Sequence, residues 1–529
     1  MSIQPRTGIM KNRLALLILA LGAVIYLCTF IWPAVPIYQG YNAPIFLTGA
    51  IRMSEGQVIY RDFFELTFPG TEFFYLGLIK LLGVRAWIPN AALVAMGTSL
   101  AWMGATISRR VLTGPLVVLP SIAFTSFVFV SDLDATHHWF SIVAVLAGLA
   151  LLIEERTVER AAGAGLLFGV ATCFTQTRGP FAFGAFVVFL VWEFKRRREP
   201  RRWLLHRLGA ATATFLAPVV PLAAYYIWKV GFGLFLECTW VLPIRYYSSI
   251  PRNNMSIYMA DQPDFSGWLE GAALAIWLFI HLLVPLVYLI FFARYLRLAK
   301  QHPEEPWDRL MLINLMGLSL FASIAFTPNW FKISSSTLPA LIIFVWFLKA
   351  PGKLNKALRS LLWFAAISSA VAQPLIAQTS SSGELNTPIG RAAFNDDERY
   401  EKYRCLLQVV HPGETYFHAG DVDTYYLLDV RNSTYAAVVT PDDWTRPEQV
   451  RGIVRSLSKQ HVRFVLWSAW LDWPPADKPA GDHLGPLRAY LREHYRIVKT
   501  FTDGDELWKR NPDRDSPPNA PVSSGPPIQ

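Results

Sequence analysis

Between two apolar runs the chain reads Ser131-Asp132-Leu133-Asp134-Ala135-Thr136-His137-His138-Trp139. Two carboxylates and two imidazoles stand almost side by side. Ionisable groups at membrane depth are costly to bury and tend to be kept for a function. Close to a low-dielectric boundary, Asp134 or Asp132 can be tuned as a general base, and His137 or His138 can protonate or hold an anion. Asp and His together also permit a divalent metal. The competing role is structural, with Asp or Thr capping the helix that follows. A second constellation is Tyr60-Arg61-Asp62-Phe63-Phe64, with Glu65 next. An Arg61–Asp62 pair beside aromatics suits a phosphate-bearing lipid headgroup; the alternative is an interfacial salt bridge that orders its loop. Asp62 is a further candidate base.

Two more cations join these groups. Arg178 lies in Gln176-Thr177-Arg178-Gly179-Pro180. There a guanidinium can grip a phosphate through two hydrogen bonds, or snorkel to the headgroups. Lys332 follows Trp330 and Phe331 and is a weaker candidate for the same task. Arg245-Tyr246-Tyr247 and Asn253-Asn254 are sugar- or lipid-binding candidates for which an ordinary polar loop is the simpler reading. The sequons at Asn254 and Asn432 carry no argument. Walker, GxGxxG, zinc-protease and GxSxG patterns are absent, which argues against an ATP-driven pump or a soluble-type hydrolase.

The elements that must position these residues are membrane helices. The chain has 529 residues, 53% hydrophobic and only 17% charged, against about 25% charged in a soluble protein. This composition excludes a soluble multi-domain enzyme, a disordered chain and a fibre. A bilayer core takes about 20 apolar residues as a helix. Runs of that character cover 13–32, 88–108, 111–130, 139–153, 161–173, 181–194, 208–228, 268–292, 310–326, 334–348 and 361–377, about eleven spans. The run 13–32 reads as a retained first helix, not a cleaved signal. The segment 69–83 is apolar but short and contains Lys80. If it does not cross, the basic loops, above all KRRREPRR at 195–202, share the side of the N-terminus, as the positive-inside rule demands. The spacing therefore predicts a multi-pass protein of the cell (inner) membrane, with a cytoplasmic N-terminus and an interfacial or re-entrant helix at 69–83. The loops 33–89, 131–138, 176–180, 229–267 and 327–332 fall on the outer face. The formal charge of +10 belongs to basic membrane-face loops and not to nucleic-acid binding. The scattered Cys28, Cys173, Cys238 and Cys405 predict neither a disulfide framework nor a zinc site.

Residues 1–377 thus form the transmembrane domain and 378–510 an extracytoplasmic α/β domain; 511–529, rich in Pro and Ser, is expected to be disordered. Within the α/β domain, strands are predicted at 415–418 and 462–468, helices at 421–429, 447–460 and 483–495, and a hairpin about Asp503-Gly504.

Taken together, a first helix, a long outer loop with a surface helix at 43–53, the YRDFF element, a Pro-Gly segment, the acidic loop at Asp132 and Asp134, and an outer α/β tail resemble the GT-C membrane glycosyltransferases. Among these the pattern is most similar to the protein mannosyltransferase and aminoarabinose transferase group and its bacterial cell-envelope relatives. The resemblance implies a GT-C-like fold and an inverting transfer of sugar from a polyprenyl-phosphate donor to a glycan, lipid or protein acceptor, with no nucleotide sugar. It implies a carboxylate base among Asp134, Asp132 and Asp62, and a leaving phosphate held by Arg61, His137, His138, Arg178 and Lys332. The expected partners are membrane lipids and the lipid-linked donor. Members often carry an Asp-Glu pair about nineteen residues before the Arg of the YRD element; here Asn42 and Ala43 stand there. An amide cannot take a proton as a carboxylate does, so Asp62, Glu65, Asp132 or Asp134 must supply the base. Two other classes remain as alternatives, a flippase for a lipid-linked glycan and an inactive scaffold of an envelope-glycan assembly. A transporter is expected to show an internal repeat, and none stands out.

Overall fold

The computed structural model describes residues 6–40, 42–247, 255–259, 262–263, 267–325, 327–442, 444–472 and 482–512. Asn253, the sequon at Asn254, the Tyr247 side chain and nearly all of 511–529 lie outside the described residues. The chain divides into two compact units, Met1–Gln408 with Asp423–Asp429, and Val409–Val422 with Val430–Gln529.

The first unit is helical. Among the described residues, five segments are long and apolar enough to cross a bilayer: Asn12–Thr29, Ile88–Ser108, Arg201–Val230, Glu270–Leu298 and Lys353–Thr379. The helix Arg201–Val230 leaves Leu205, Val220 and Trp228 exposed by 62, 54 and 75%. An apolar face left this open is suited to lipid, not water. Other predicted runs are helical but interrupted. The run 111–130 bends at Gly114 (φ +59°) and Pro115, re-forms as Leu119–Phe124, and widens into a π-turn at Thr125–Phe129. The run 334–348 is two helices, Trp330–Ser335 and Thr337–Phe347.

The segment 69–83 is the helix Gly70–Leu82, of 13 residues and so only about 20 Å long. It buries Thr71, Glu72, Tyr75 and Ile79 and exposes Phe73, Phe74 and Leu81. Gly70 lies so close to the Cys173 carbonyl that a Cβ would sit 2.5 Å from its oxygen; only glycine fits this contact.

The end of the first helix is tied to the last long one. The Gln378 amide donates to the carbonyls of Leu27 (2.7 Å) and Phe30 (2.6 Å) and accepts from the Trp32 N–H (3.0 Å). The boundary expected after residue 377 falls inside the helix Lys353–Thr379. The compact helical unit runs on through a hairpin, Gly383–Thr387 with Gly390–Phe394, and the helix Asp397–Val409, neither of which the sequence signalled.

The second unit carries a five-stranded sheet in the order Arg431–Asn432, Thr415–Ala419, Phe464–Trp467, Glu506–Arg510, Tyr495–Thr500. The first three are parallel and the last two antiparallel. All four residues of Phe464–Trp467 are buried, as expected for a central strand covered on both faces. The helix Pro447–Lys459 turns Val450, Ile453 and Leu457 inward at helical spacing. The hairpin turn is completed by Gly504 at φ +85°. Asn432 is buried, its amide spent on the Ala436 carbonyl and on Thr434.

Candidate functional site

The π-turn at Thr125–Phe129, a distortion common at functional sites, delivers the chain into the acidic loop. That loop is coiled tightly: the Asp134 N–H donates to the Asp132 carbonyl (3.0 Å) and the Thr136 N–H to the Asp134 carbonyl (2.8 Å). The Trp139 indole also donates to the Asp132 carbonyl (3.0 Å). The two carboxylates have different partners. Asp134, 2% exposed, accepts from the Ala43 N–H (2.9 Å), the Asn42 N–H (3.3 Å) and the Asn42 side-chain amide (3.0 Å). It therefore caps the helix Ala43–Ser54 from another loop, and Asn42 itself makes no side-chain cap there. An anion at a helix N-terminus is favoured by the unsatisfied N–H groups and the helix dipole. Burial pushes the Asp134 carboxyl up to about 6 even though these three donors pull it back.

Asp132 is partly exposed and, among the described residues, accepts one side-chain bond, from Ser334 Oγ (3.1 Å). Burial, then the neighbouring Asp134, pushes its carboxyl well above the usual range. Ser335, the next residue, accepts from Arg178 Nη2 (2.8 Å). The short helix Trp330–Ser335, started by an Asn329 cap, thus holds a carboxylate and a guanidinium on adjacent serines. Arg178 also donates to the His138 carbonyl (2.6 Å) and Ser141 Oγ (3.2 Å). It is 1% exposed and has no carboxylate partner among the described residues. Snorkelling does not describe it.

Three further groups surround this cation. The His137 and His138 rings lie 3.9 Å apart; His137 leans on Phe46 and His138 meets Phe331 edge-on. Neither Nδ1 has a hydrogen-bond partner among the described residues. Burial, with Arg178 and Lys332 nearby, holds both imidazoles neutral. Lys332 bonds Thr327 Oγ1; burial, then Arg178, pushes its ammonium down to about 7. Arg178, Lys332 and the two ring nitrogens bring positive charge and hydrogen-bonding groups together in a way suited to an anion.

The structure thus gathers Asp132, Asp134, His137, His138, Arg178 and Lys332. Arg61 and Asp62 pair with each other (2.9 and 2.8 Å). Asp62 further accepts from the Val58 N–H (2.7 Å), and its carbonyl from Arg52 (3.0 Å). All these bonds brace one turn, and the Arg61 bond keeps the Asp62 carboxyl below its usual range. Arg245 lays its guanidinium over Tyr246 at 5.5 Å.

Sequence reasoning missed Ser334 and Ser335, which nothing in their composition marks, and Glu72. Glu72 is 1% exposed and Glu65 6%. Glu65 accepts from the N–H groups of Leu66 (2.8 Å) and Thr67 (3.0 Å). Burial, then Glu65, raises the Glu72 carboxyl well above its usual range. Among the described residues, no group of three or more His, Cys, Asp and Glu is arranged to hold a metal ion.

The Asp134 contacts set an expectation. Asp134→Asn puts an amide where two carboxylate oxygens met three donors. It should cost about 1–3 kcal/mol, seen as a lower melting temperature of the purified protein. An unchanged melting temperature would remove Asp134 as the anchor of the helix Ala43–Ser54.

No protein-family model matches the sequence, and no curated protein matches it. Solved structures do. ArnT from Cupriavidus metallidurans bound to undecaprenyl phosphate superposes with a TM-score of 0.58 at 12% identity, over 95% of this chain and 98% of that one. The apo state of ArnT from the same organism gives 0.56 at 12% identity, over 94% and 98%. The archaeal oligosaccharyltransferase AglB from Archaeoglobus fulgidus, with an inhibitory peptide and a dolichol-phosphate, gives 0.49 at 12% identity, over 96% and 75%. The chain has the fold seen in ArnT.

Proposed function

We propose that this chain is a GT-C glycosyltransferase that moves a sugar from a polyprenyl-phosphate donor to a cell-envelope acceptor on the outer face of the cell (inner) membrane. The observation that carries the reading is the buried Arg178, with no carboxylate partner among the described residues, joined through Ser335 and Ser334 to the partly exposed Asp132. The undecaprenyl phosphate held by ArnT supports the donor class. In this reading about eleven spans place the N-terminus in the cytoplasm and the α/β region outside.

The chemistry follows from the charges. An acceptor hydroxyl attacks the anomeric carbon, and the bond from that carbon to the phosphate oxygen breaks with inversion. The hydroxyl proton passes to Asp132. The lipid phosphate leaves with the bonding electron pair, and Arg178 and Lys332 balance its charge, with the His137 and His138 rings beside it. Burial raises the basicity of Asp132, which suits proton uptake. Asp134 acts through Asn42, fixing that side chain and the helix behind it. The acceptor is a glycan, lipid or protein hydroxyl.

The test is transfer by the purified protein from a panel of polyprenyl-phosphate sugars, beside glycan profiles of cell envelopes with and without the chain. Transfer with release of polyprenyl phosphate supports the reading. Inactivity with every donor together with an unchanged envelope would favour the scaffold; inactivity with a lost envelope sugar would favour the flippase.

The reading also fixes a pH dependence. Asp132 must be ionised to accept a proton, so kcat should climb as pH rises through its elevated titration. Lys332 must be charged to hold phosphate, and its ammonium lies near 7. The donor KM should therefore rise above that pH. Lys332→Arg, charged at every working pH, should flatten the rise in KM and leave the acidic limb in place. A KM profile identical in both proteins would remove Lys332 from the phosphate site.

A further inference from the structure

The helix that begins with Arg178 ends in Lys195, Arg196 and Arg197. Arg198 closes it in a left-handed turn, and Arg201 and Arg202 open the next helix. With 20 residues this helix is about 30 Å long, the thickness of a bilayer's hydrocarbon core. The anion-binding arginine stands at one end and the cationic run at the other.

Three acids near the cationic end are already engaged. Glu193 pairs with Arg156 and with Arg197 (3.1 Å), and Asp308 with Arg156 (2.8 Å) and Arg197 (3.4 Å). Glu154 is held by Arg110 and Arg160. Lys195, Arg196, Arg198, Arg201 and Arg202 are exposed and have no carboxylate partner among the described residues. Apolar and amphipathic groups stand among them. Arg196 covers the Trp192 ring at 5.1 Å. Trp192 meets Tyr295 at 6.1 Å, which brings in the end of the helix Trp268–Leu298. Leu205, one turn beyond Arg201, is 62% exposed, and Leu296 is 79% exposed.

We propose that this end of the helices is a binding surface for anionic phospholipid. The guanidinium groups take the headgroup phosphate and its extra charge, the Trp192 and Tyr295 rings sit at headgroup depth, and the acyl chains run along Leu205 and Leu296. An acidic protein would satisfy the cations but leaves the exposed leucines unexplained. The lipid satisfies both. The proposal needs only that these helices lie in a bilayer, so it stands or falls apart from sugar transfer.

The test titrates the detergent-solubilised full chain with short-chain phosphatidylglycerol and, separately, phosphatidylcholine. Phosphatidylglycerol should bind more tightly, and added salt should weaken it. A charge beside an anionic lipid surface is worth about fivefold in binding. Combining R196Q, R201Q and R202Q should then weaken phosphatidylglycerol on the order of 100-fold, while the three corresponding Arg→Lys changes keep most of it. A second pair, K195Q with R198Q, provides the same reading should the triple variant fail to fold. Equal binding of the two lipids by the wild-type chain, or wild-type binding of phosphatidylglycerol by a folded neutral variant, would overturn the proposal.

Discussion

Asp132→Asn is expected to slow sugar transfer per folded molecule by about 10²–10⁴-fold, the usual cost of losing a positioned general base. Asparagine has the shape of the side chain it replaces, and its carbonyl oxygen can still accept the Ser334 hydroxyl that now bonds Asp132 at 3.1 Å. The loop backbone is held independently by the Trp139 indole and the turns at Asp134 and Thr136. Abundance in the membrane and melting temperature should therefore stay at wild-type levels while kcat falls. This pattern is opposite to that of Asp134→Asn, whose first effect is on stability. A per-molecule rate near wild type in the Asp132 variant would take the base away from Asp132 and return it to Asp134 or Asp62.

Arg178→Gln should reduce kcat/KM for the lipid-linked donor by roughly 30- to several-thousand-fold. Removing one partner from a buried, hydrogen-bonded charge pair costs about 2–5 kcal/mol. Part of that cost is structural here, because Arg178 also holds the His138 carbonyl and Ser335. Arg178→Lys separates the two contributions. It keeps the charge but loses the planar fork, so it should recover part of the donor affinity and little of the packing. Should Arg178→Gln and Arg178→Lys lose activity only in proportion to folded protein, Arg178 would be a packing residue and the phosphate site would lie elsewhere.

Much of this arrangement was legible in the chain because membrane chemistry leaves coarse marks. Apolar runs, the basic run at 195–202 and the cluster from Asp132 to His138 stand out against a hydrocarbon background, where each charge demands a reason. The helix start with a proline in the first turn at Pro447 was equally plain. What stayed hidden depends on contacts across long stretches of chain. Nothing at Asp134 announces that its partners are Asn42 and Ala43, and a carboxylate that caps a distant helix reads the same as one free to take a proton. Ser334 and Ser335 look like any small polar pair near a helix end. Arg61 and Asp62, adjacent opposite charges beside aromatics, read either as a headgroup site or as a salt bridge ordering its loop, and composition does not separate the two; in the structure they bond each other. The break in 111–130 follows from Gly114 and Pro115, whose effect on backbone geometry outweighs an unbroken apolar composition.

The Gln378 amide has a consequence for how the protein is made. Its acceptor contact at Trp32 is separated by 346 residues. At a synthesis rate of about 5–20 residues per second, the first helix is finished on the order of tens of seconds before the residue that completes its end exists. During that interval the Leu27 and Phe30 carbonyls and the Trp32 N–H must be served by water, lipid headgroups or the insertion machinery. A ribosome-stalled chain that stops short of Gln378 should leave the short antiparallel strands Phe30–Ile31 and Val35–Pro36 open to protease, and a chain extended past it should close that window. Fastening of the first helix's end thus waits on the last long helix, and the two are joined in one late step.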